Sequence, residues 1–419
     1  MEIHTSCYYI MAIRRLQCIE CTFLQFCILI ICFIYGEILH PYVSLKAWTL
    51  PEMKPKEDEV RLLLLADPHV EGYHSSLYFF SDILQADSDD YLRFHFVKAV
   101  QYANPNGVVF LGDLLDTGET ASDSEFMLVV SRFYEIFLSE TDLFVILVPG
   151  DNDVGGEGVS VTEAKLNRFY TKLPVKLKKN KFKFVSFYSD NMQSEAKADF
   201  QNEKSSSEIT VFISHFPVVS KYHTWFPMNL LQSNASMSIH GHLHRSQVIH
   251  WKNTKDSENS HPNISSLQAD DFFKPITQPM HFKLTDSIHY LKSRSEVTFT
   301  ETLKAYGELI SIGVPSCTYR SGFPNLNGIG LLQIYRNKSV VYTVLPLHNR
   351  YWTLLLYTFL LTTLIGLQCI SYSAFLFIKS KCWRDIYFLT ASALLLMVIY
   401  YEVANFIQVG RLFQNSFFE

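Results

Sequence analysis

Five short apolar runs in this chain each give way, at their C-terminal ends, to carboxylates or imidazoles. Val60–Ala66 leads into Asp67-Pro68-His69, Val108–Leu111 into Gly112-Asp113-Leu114-Leu115-Asp116, and Leu143–Val148 into Pro149-Gly150-Asp151-Asn152-Asp153. Further along, Val211–Ser214 leads into His215, and Met237–Ile239 into His240-Gly241-His242-Leu243-His244. Taken singly, each signal is weak: a His after an apolar strand commonly caps or packs, and Gly-Asp-x-x-Asp is often a turn. As an ordered set they converge, because open α/β sheets bind ligands in the crevice outside the carboxyl ends of their strands. Carboxylates gathered there repel one another unless cations compensate them. Mixed oxygen and nitrogen donors suit manganese, iron or zinc better than calcium or magnesium. A dinuclear metal site is the economical reading.

The elements that must position these residues follow from the same runs. Val60–Ala66, Gly107–Leu111, Leu143–Val148, Phe182–Phe187, Ile209–Ser214 and Met237–His240 read as buried strands alternating with helical stretches, an α/β pattern over residues 58–345. Residues 250–305 lose the rhythm, are rich in Ser, Asn, Asp and His, and read as a surface insertion without an assigned role.

Composition excludes several classes. With 48% hydrophobic residues, 18% charged residues, 17 Gly and 15 Pro, the chain is neither disordered nor collagen-like. A net charge of −5, from 36 basic and 41 acidic residues, gives no overall positive field, so nucleic acid is not the expected partner. The cysteines cluster at the two ends with only Cys317 between them, which leaves no disulfide framework or zinc spacing in the middle.

Both ends carry membrane signals. Residues 21–36 are uncharged, follow Arg14 and Arg15, and precede Glu37; residues 21–38 are expected to be a transmembrane signal anchor, with a cleaved signal peptide as the alternative. Residues 351–378 and 386–404 are expected to be two further spans, joined by a loop over 379–385 that holds Lys379, Lys381 and Arg384. The positive-inside rule then places residues 1–20 and that loop in the cytosol, and the 58–345 domain and the 405–419 tail on the luminal side. Asn234, Asn263 and Asn337 head glycosylation sequons in the luminal segment.

The ordered motifs resemble those of the calcineurin-like metallophosphoesterases: D-x-H, G-D-x-x-D, G-N-H-D/E, H and G-H-x-H. The resemblance covers about residues 58–345. It implies a four-layer αββα sandwich, here with flanking transmembrane helices, holding two divalent metal ions and hydrolysing a phosphoester. By position, Asp67, His69 and His244 match the ligands of one metal and His215 and His242 those of the other, while Asp113 matches the bridging carboxylate. Asp151 stands where the family usually has an Asn ligand. Asn152 stands where it usually has the His that donates to the phosphate or the leaving oxygen, which makes Asn152 the catalytic candidate. An amide supplies a hydrogen bond but no proton, and loss of a general acid typically costs 10²–10⁴-fold. His74 and His223 are alternative donors by position.

A narrower resemblance rests on the spans, on Asp153-Val154-Gly155-Gly156, on Leu166-Asn167-Arg168-Phe169 and on Val314-Pro315-Ser316-Cys317-Thr318-Tyr319-Arg320. These look like the membrane-bound branch that remodels glycosylphosphatidylinositol (GPI) anchors. That branch implies a manganese-dependent phosphodiesterase of the endoplasmic reticulum or Golgi, with iron or zinc as alternative metals. It would remove ethanolamine phosphate from a lipid-linked or GPI-anchored glycan and so aid ER-to-Golgi transport, with cargo receptors of the early secretory pathway as partners. The alternatives are a phosphatase or phosphodiesterase with another luminal substrate, and a non-catalytic metal-binding relative acting as a transport factor.

Overall fold

Leu62, Leu63, Leu64 and Leu65 are consecutive and all buried, which a strand allows only when both faces of its sheet are covered. The computed structural model describes residues 27–49, 59–72, 81–139, 143–173, 184–189, 209–218, 235, 237–252, 263–266, 279–284, 308–321 and 326–375. Its strands, in chain order, are β1 (Glu59–Leu65), β2 (Gly107–Phe110), β3 (Phe144–Leu147), β4 (Val185–Ser189), β5 (Ile209–Ser214) and β6 (Met237–His240). They continue with β7 (Gln247–Lys252), β8 (Asn263–Ser266), β9 (Met280–Lys283), β10 (Glu308–Gly313), β11 (Gly328–Tyr335) and β12 (Ser339–Pro346). The helices are α1 (Cys27–Ala47), α2 (Ser81–Ala103), α3 (Asp123–Phe137), α4 (Asp151–Val154), α5 (Glu163–Lys172) and α6 (Arg350–Phe375).

Among the described residues the strands form two six-stranded sheets, ordered β3-β2-β1-β11-β12-β9 and β4-β5-β6-β10-β7-β8. In the first, β1, β2 and β3 are parallel and the other half pairs antiparallel. In the second, β4, β5, β6 and β10 are parallel, and β7 and β8 complete it antiparallel. Alternate residues of both sheets meet in one core: Leu62, Leu64, Val109 and Ile146 from one side, Val211, Ile213, Ile239 and Ile312 from the other. The intervening residues of the first sheet face helices. Phe110 packs edge-on against Phe133 and Phe137 of α3, and Phe96 of α2 packs against Phe137. A capping box sets the start of α3, with the Ser122 side chain accepting from Glu125 N–H and the Glu125 carboxylate accepting from Ser122 N–H.

These described layers, a helical layer and two sheets, are consistent with a metallophosphoesterase fold. The six strands expected from sequence are present, the fourth, expected at 182–187, being described over Val185–Ser189. β7 to β12 were not anticipated. Two of them, β8 and β9, fall inside the 250–305 stretch read as a surface insertion and lie at the far edges of the two sheets. Edge strands are short and polar, so they lack the buried run that marks a central strand.

The described residues of the terminal segments, 27–46 and 348–375, belong to a compact unit of their own. Within it α1 contains a π-helical turn, Tyr35–Leu39. Glu37 on that turn accepts hydrogen bonds from Arg350 and Tyr357 of α6 at 2.9 and 2.7 Å. Other faces of the two helices expose Ile31, Phe33, Ile38, Val43, Trp352, Leu355 and Phe359. Among the described residues α1 is the one helix whose 21 residues and mean hydropathy of 1.7 suit a membrane crossing. α6 covers 26 residues of and around the expected 351–378 span. The expected span at 386–404, the 379–385 loop, residues 1–20 and the 405–419 tail lie outside the described residues.

Replacing Phe133 by Ala removes a fully buried ring from the α3 interface. The expected cost is about 3–5 kcal/mol, whereas Ser122→Ala, which only removes the cap, should cost about 1 kcal/mol. Chemical denaturation of the two variants beside the parent checks that ranking.

Candidate metal centre

All seven residues expected as metal ligands sit just beyond the carboxyl ends of parallel strands: Asp67 and His69 after β1, Asp113 after β2, Asp151 after β3, His215 after β5, and His242 and His244 after β6. The structure brings them together as three overlapping donor groups, His69/Asp113/His244, Asp151/His215/His242 and Asp67/Asp113/His215, with donor atoms in each group within 4.8 Å of one another. Asp113 and His215 each belong to two groups. They join the donors into one continuous cluster.

The turns that deliver these side chains are strained. Asp67, His69, Asp113, His242 and His244 have φ values of 50°, 43°, 50°, 65° and 50°, a left-handed region that costs non-glycine residues free energy. The packed sheets behind them hold the conformation. Gly150 must be glycine for a steric reason, since a Cβ there would collide with the carboxylate and backbone nitrogen of Asp113.

His215 is fixed from both ends of its ring. Nδ1 lies 2.8 Å from the Leu111 carbonyl, the geometry of an Nδ1–H donor, and Nε2 lies 2.8 Å from Asp151 Oδ1 and 3.5 Å from Asp113 Oδ1. His242 Nδ1 is 3.3 Å from the same Asp151 oxygen. On the other side, His69 Nε2 is 3.6 Å from Asp113 Oδ2, and His244 Nε2 is 3.9 Å from Asp67 Oδ2. Asp67 Oδ2 and both ring nitrogens of His69 are buried without a hydrogen-bond partner. Buried polar atoms are rarely left that way. Two divalent cations coordinated by this oxygen and nitrogen set would satisfy them, so the residues fit the metals that the motifs imply.

The electrostatics point the same way. Burial pushes the Asp67 carboxyl up to about 6, with Asp113 adding to the rise and the nearby imidazoles opposing it. Burial works against charging His69 and His215, but the surrounding carboxylates override it and raise them to about 9 and about 10. Asp151 is also penalised by burial, yet its bonds to His215 and His242 hold it well below the ordinary carboxylate range. His244 is pushed well down by burial and by the neighbouring imidazoles, which leaves it neutral and ready to donate a lone pair.

Several contributors were not apparent in the sequence. Asp153 is buried and accepts from the backbone N–H groups of Leu114, Leu115 and Gly150 at 3.1, 2.9 and 2.8 Å, which ties the β2 and β3 loops together. Burial and Asp113 raise it to about 7 against those bonds. Asp116 Oδ1 lies 3.6 Å from His69 Nδ1, and Ser316 Oγ donates to the Asp67 carbonyl at 2.9 Å. Ser316 lies in the Val314–Arg320 block, which runs along the ends of the strands and bonds to Ala66 through Cys317 N–H. His240 bonds back to the Gly241 carbonyl and is pushed down to about 4, chiefly by burial. Asn152 directs its amide at Asp113 Oδ2, 2.7 Å away. His74 and His223 lie outside the described residues.

Residues 60–246 match the family model described as calcineurin-like phosphoesterase. The motif order and the donor cluster agree with that match and support a calcineurin-like metallophosphoesterase assignment for the segment. It is 34% identical over 142 residues to Metallophosphoesterase 1 homolog of Drosophila melanogaster, covering 32% of this chain and 35% of that protein. It is also 27% identical over 139 residues to Metallophosphoesterase 1 of Danio rerio, with 33% and 35% covered. Cell division control protein 1 of Saccharomyces cerevisiae is 31% identical over 133 residues, with 29% and 26% covered. The chain thus spans about a third or less of the curated relatives it matches. A purple acid phosphatase, PPD1 from yellow lupin seeds, aligns over 48% of this chain and 40% of its own at 9% identity and a TM-score of 0.32, too slight a likeness to bear on the fold.

The raised imidazoles give a signed pH dependence for the metal-stripped protein. A histidine raised in the folded state stabilises fully below its unfolded value of about 6.5, and that contribution is lost as pH rises through about 9 for His69 and about 10 for His215. The melting temperature in chelator should therefore fall between pH 7 and pH 10. Manganese competes with the same protons, so the stabilisation it confers should grow over that range. Thermal melts with and without manganese check both slopes. Gly150→Ala should abolish the manganese-induced rise.

Proposed function

We propose that the chain is a divalent-metal phosphoester hydrolase, acting as a phosphodiesterase on a lipid-linked glycan phosphate in the secretory pathway. The observation that carries the hydrolase reading is the cluster of seven acidic and imidazole donors joined through Asp113 and His215. Bound there, two divalent cations would activate water and neutralise phosphoryl oxygens. The chain's own part is to hold the donors rigid. Leu111 fixes the His215 ring, Ser316 and Asp153 pin the loops that carry Asp67 and Asp113, and the Phe216 ring stands 4.6 Å from that of His242 as an apolar wall.

The finer reading is removal of ethanolamine phosphate from a GPI-anchor glycan by a manganese form of the protein, with the 58–345 domain in the lumen of the endoplasmic reticulum or Golgi. Cargo receptors of the early secretory pathway are the partners that go with it. Support comes from the sequence resemblance over Val314–Arg320, while the relatives called metallophosphoesterase 1 support the hydrolase class alone. The apolar α1, with its exposed Ile31, Phe33 and Ile38, supports membrane anchoring. Tethering to a bilayer would raise the effective concentration of a lipid-linked substrate. Luminal exposure would make Asn337 available for glycosylation. It lies on the exposed turn between β11 and β12, with its side-chain oxygen accepting from Ser339 N–H and Oγ.

Purified full-length chain in detergent should hydrolyse an aryl phosphodiester in proportion to added manganese, and should then release ethanolamine phosphate from a GPI glycan that carries it. His242→Ala, which removes one donor, should lower turnover by about 100-fold or more. Turnover indifferent to chelator and to His242→Ala would refute the hydrolase reading; turnover of model esters but not of the glycan would refute only the substrate. In cells, glycosidase digestion should increase gel mobility, and Asn337→Gln should reduce that shift. An undigestible chain would speak against the luminal placement.

A further inference from the structure

The second carboxylate oxygen of Asp113 is as constrained as the first, and both constraints come from one residue. Asn152 donates its backbone N–H to Asp113 Oδ1 at 2.9 Å and its side-chain amide to Asp113 Oδ2 at 2.7 Å. The same two oxygens face opposite halves of the cluster, Oδ1 lying 3.5 Å from His215 Nε2 and Oδ2 lying 3.6 Å from His69 Nε2. An aspartate carboxylate turns about χ2 in a broad, roughly two-fold well. One carboxylate shared between two donor groups serves both only in a narrow range of that angle.

We infer that Asn152 is a positioning residue that clamps Asp113 so that each carboxylate oxygen is presented to one of the two donor groups. A neutral amide suits the task, because it donates hydrogen bonds without adding charge beside Asp67, Asp113 and Asp151. An acceptor at this position would push the Asp113 carboxylate away. Asn152 therefore acts through Asp113 on metal binding. The inference deepens the proposed function and rests on it only for the turnover arm of its test.

The test titrates manganese into the metal-stripped full chain by calorimetry. Asn152→Ala, which keeps the backbone N–H but removes the amide, should weaken binding by about 10-fold. Asn152→Asp, the same size but an acceptor, should weaken it further. If Asn152→Ala proves unstable, Asn152→Ser provides the same comparison. Circular dichroism melts in chelator establish that each variant is folded. Adding Asn152→Ala to an Asp113→Ala background should produce no additional loss of affinity, as expected for residues acting as one unit. In turnover, the defect of Asn152→Ala should disappear at saturating manganese. Unchanged manganese affinity in Asn152→Ala overturns the inference, and so does a turnover defect that survives saturating metal, which would show Asn152 acting on the substrate directly. If no form of the protein turns over any phosphoester, the proposed function fails, and the calorimetry alone decides the role of Asn152.

Discussion

Negative charge crowded into a dry place governs this structure. Asp67, Asp113, Asp151 and Asp153 are all buried within a few residues of the ends of three adjacent parallel strands. Their mutual repulsion in a low-dielectric interior must be met by something positive. Imidazoles meet part of it: His69 and His215 are driven up to about 9 and about 10 by those carboxylates despite burial. A proton held that tightly marks where a cation would be more strongly held, since the field that raises an imidazole attracts a divalent ion with twice the charge. The cluster is thus built to carry positive charge, and protons and metal ions compete for the same seats.

Such a cluster is tenable only on a rigid support. Five residues of the donor cluster adopt left-handed backbone angles, and conformations of that kind persist where surrounding structure over-determines them. Here the support is the sandwich core, whose central strands are buried on both faces, together with struts between the loops. Asp153 receives three backbone N–H groups from two loops, and Ser316 reaches across from the segment after β10 to the carbonyl of Asp67. These struts add no donor to the cluster. They stop the carboxylates from relieving their repulsion by moving apart.

The donor residues of the cluster were legible because each lies within a few residues of the end of an apolar run, and a strand that gives way to charged residues is a local pattern. The parallel strands β1 to β6 were legible from their apolar runs, whereas β10, which is also parallel, was not. What local pattern could not convey was long-range partnership. Ser316 and Asp67 are 249 positions apart, and nothing in the residues around Ser316 marks it as a strut. Asp153, two positions beyond a ligand and of the same residue type, could be assigned to coordination as readily as to loop bracing. β11 was missed partly because Gly328 and Gly330 interrupt its apolar run, and β7 because Gln247, His250 and Lys252 give it an edge-like polarity. Both strands draw their stability from pairing with β1, β10 and β12, which a single stretch of sequence does not reveal.

The Asp151-Asn152 pair shows how a departure from a family pattern can remain coherent. A carboxylate at position 151 places an additional charge in the group with His215 and His242, and both imidazoles lean on its Oδ1, at 2.8 and 3.3 Å. These contacts hold Asp151 well below the ordinary carboxylate range, whereas Asp153 on the same short helix is raised to about 7 by its burial and by Asp113. Between them, the neutral Asn152 turns its donors onto Asp113, which softens the repulsion that a charge at 151 would intensify. A carboxylate at 151 and an imidazole at 152 would have placed one more titrating group in an already coupled cluster. With an amide there instead, charge is added where two histidines balance it, and hydrogen bonds are added where a shared carboxylate has to keep its orientation.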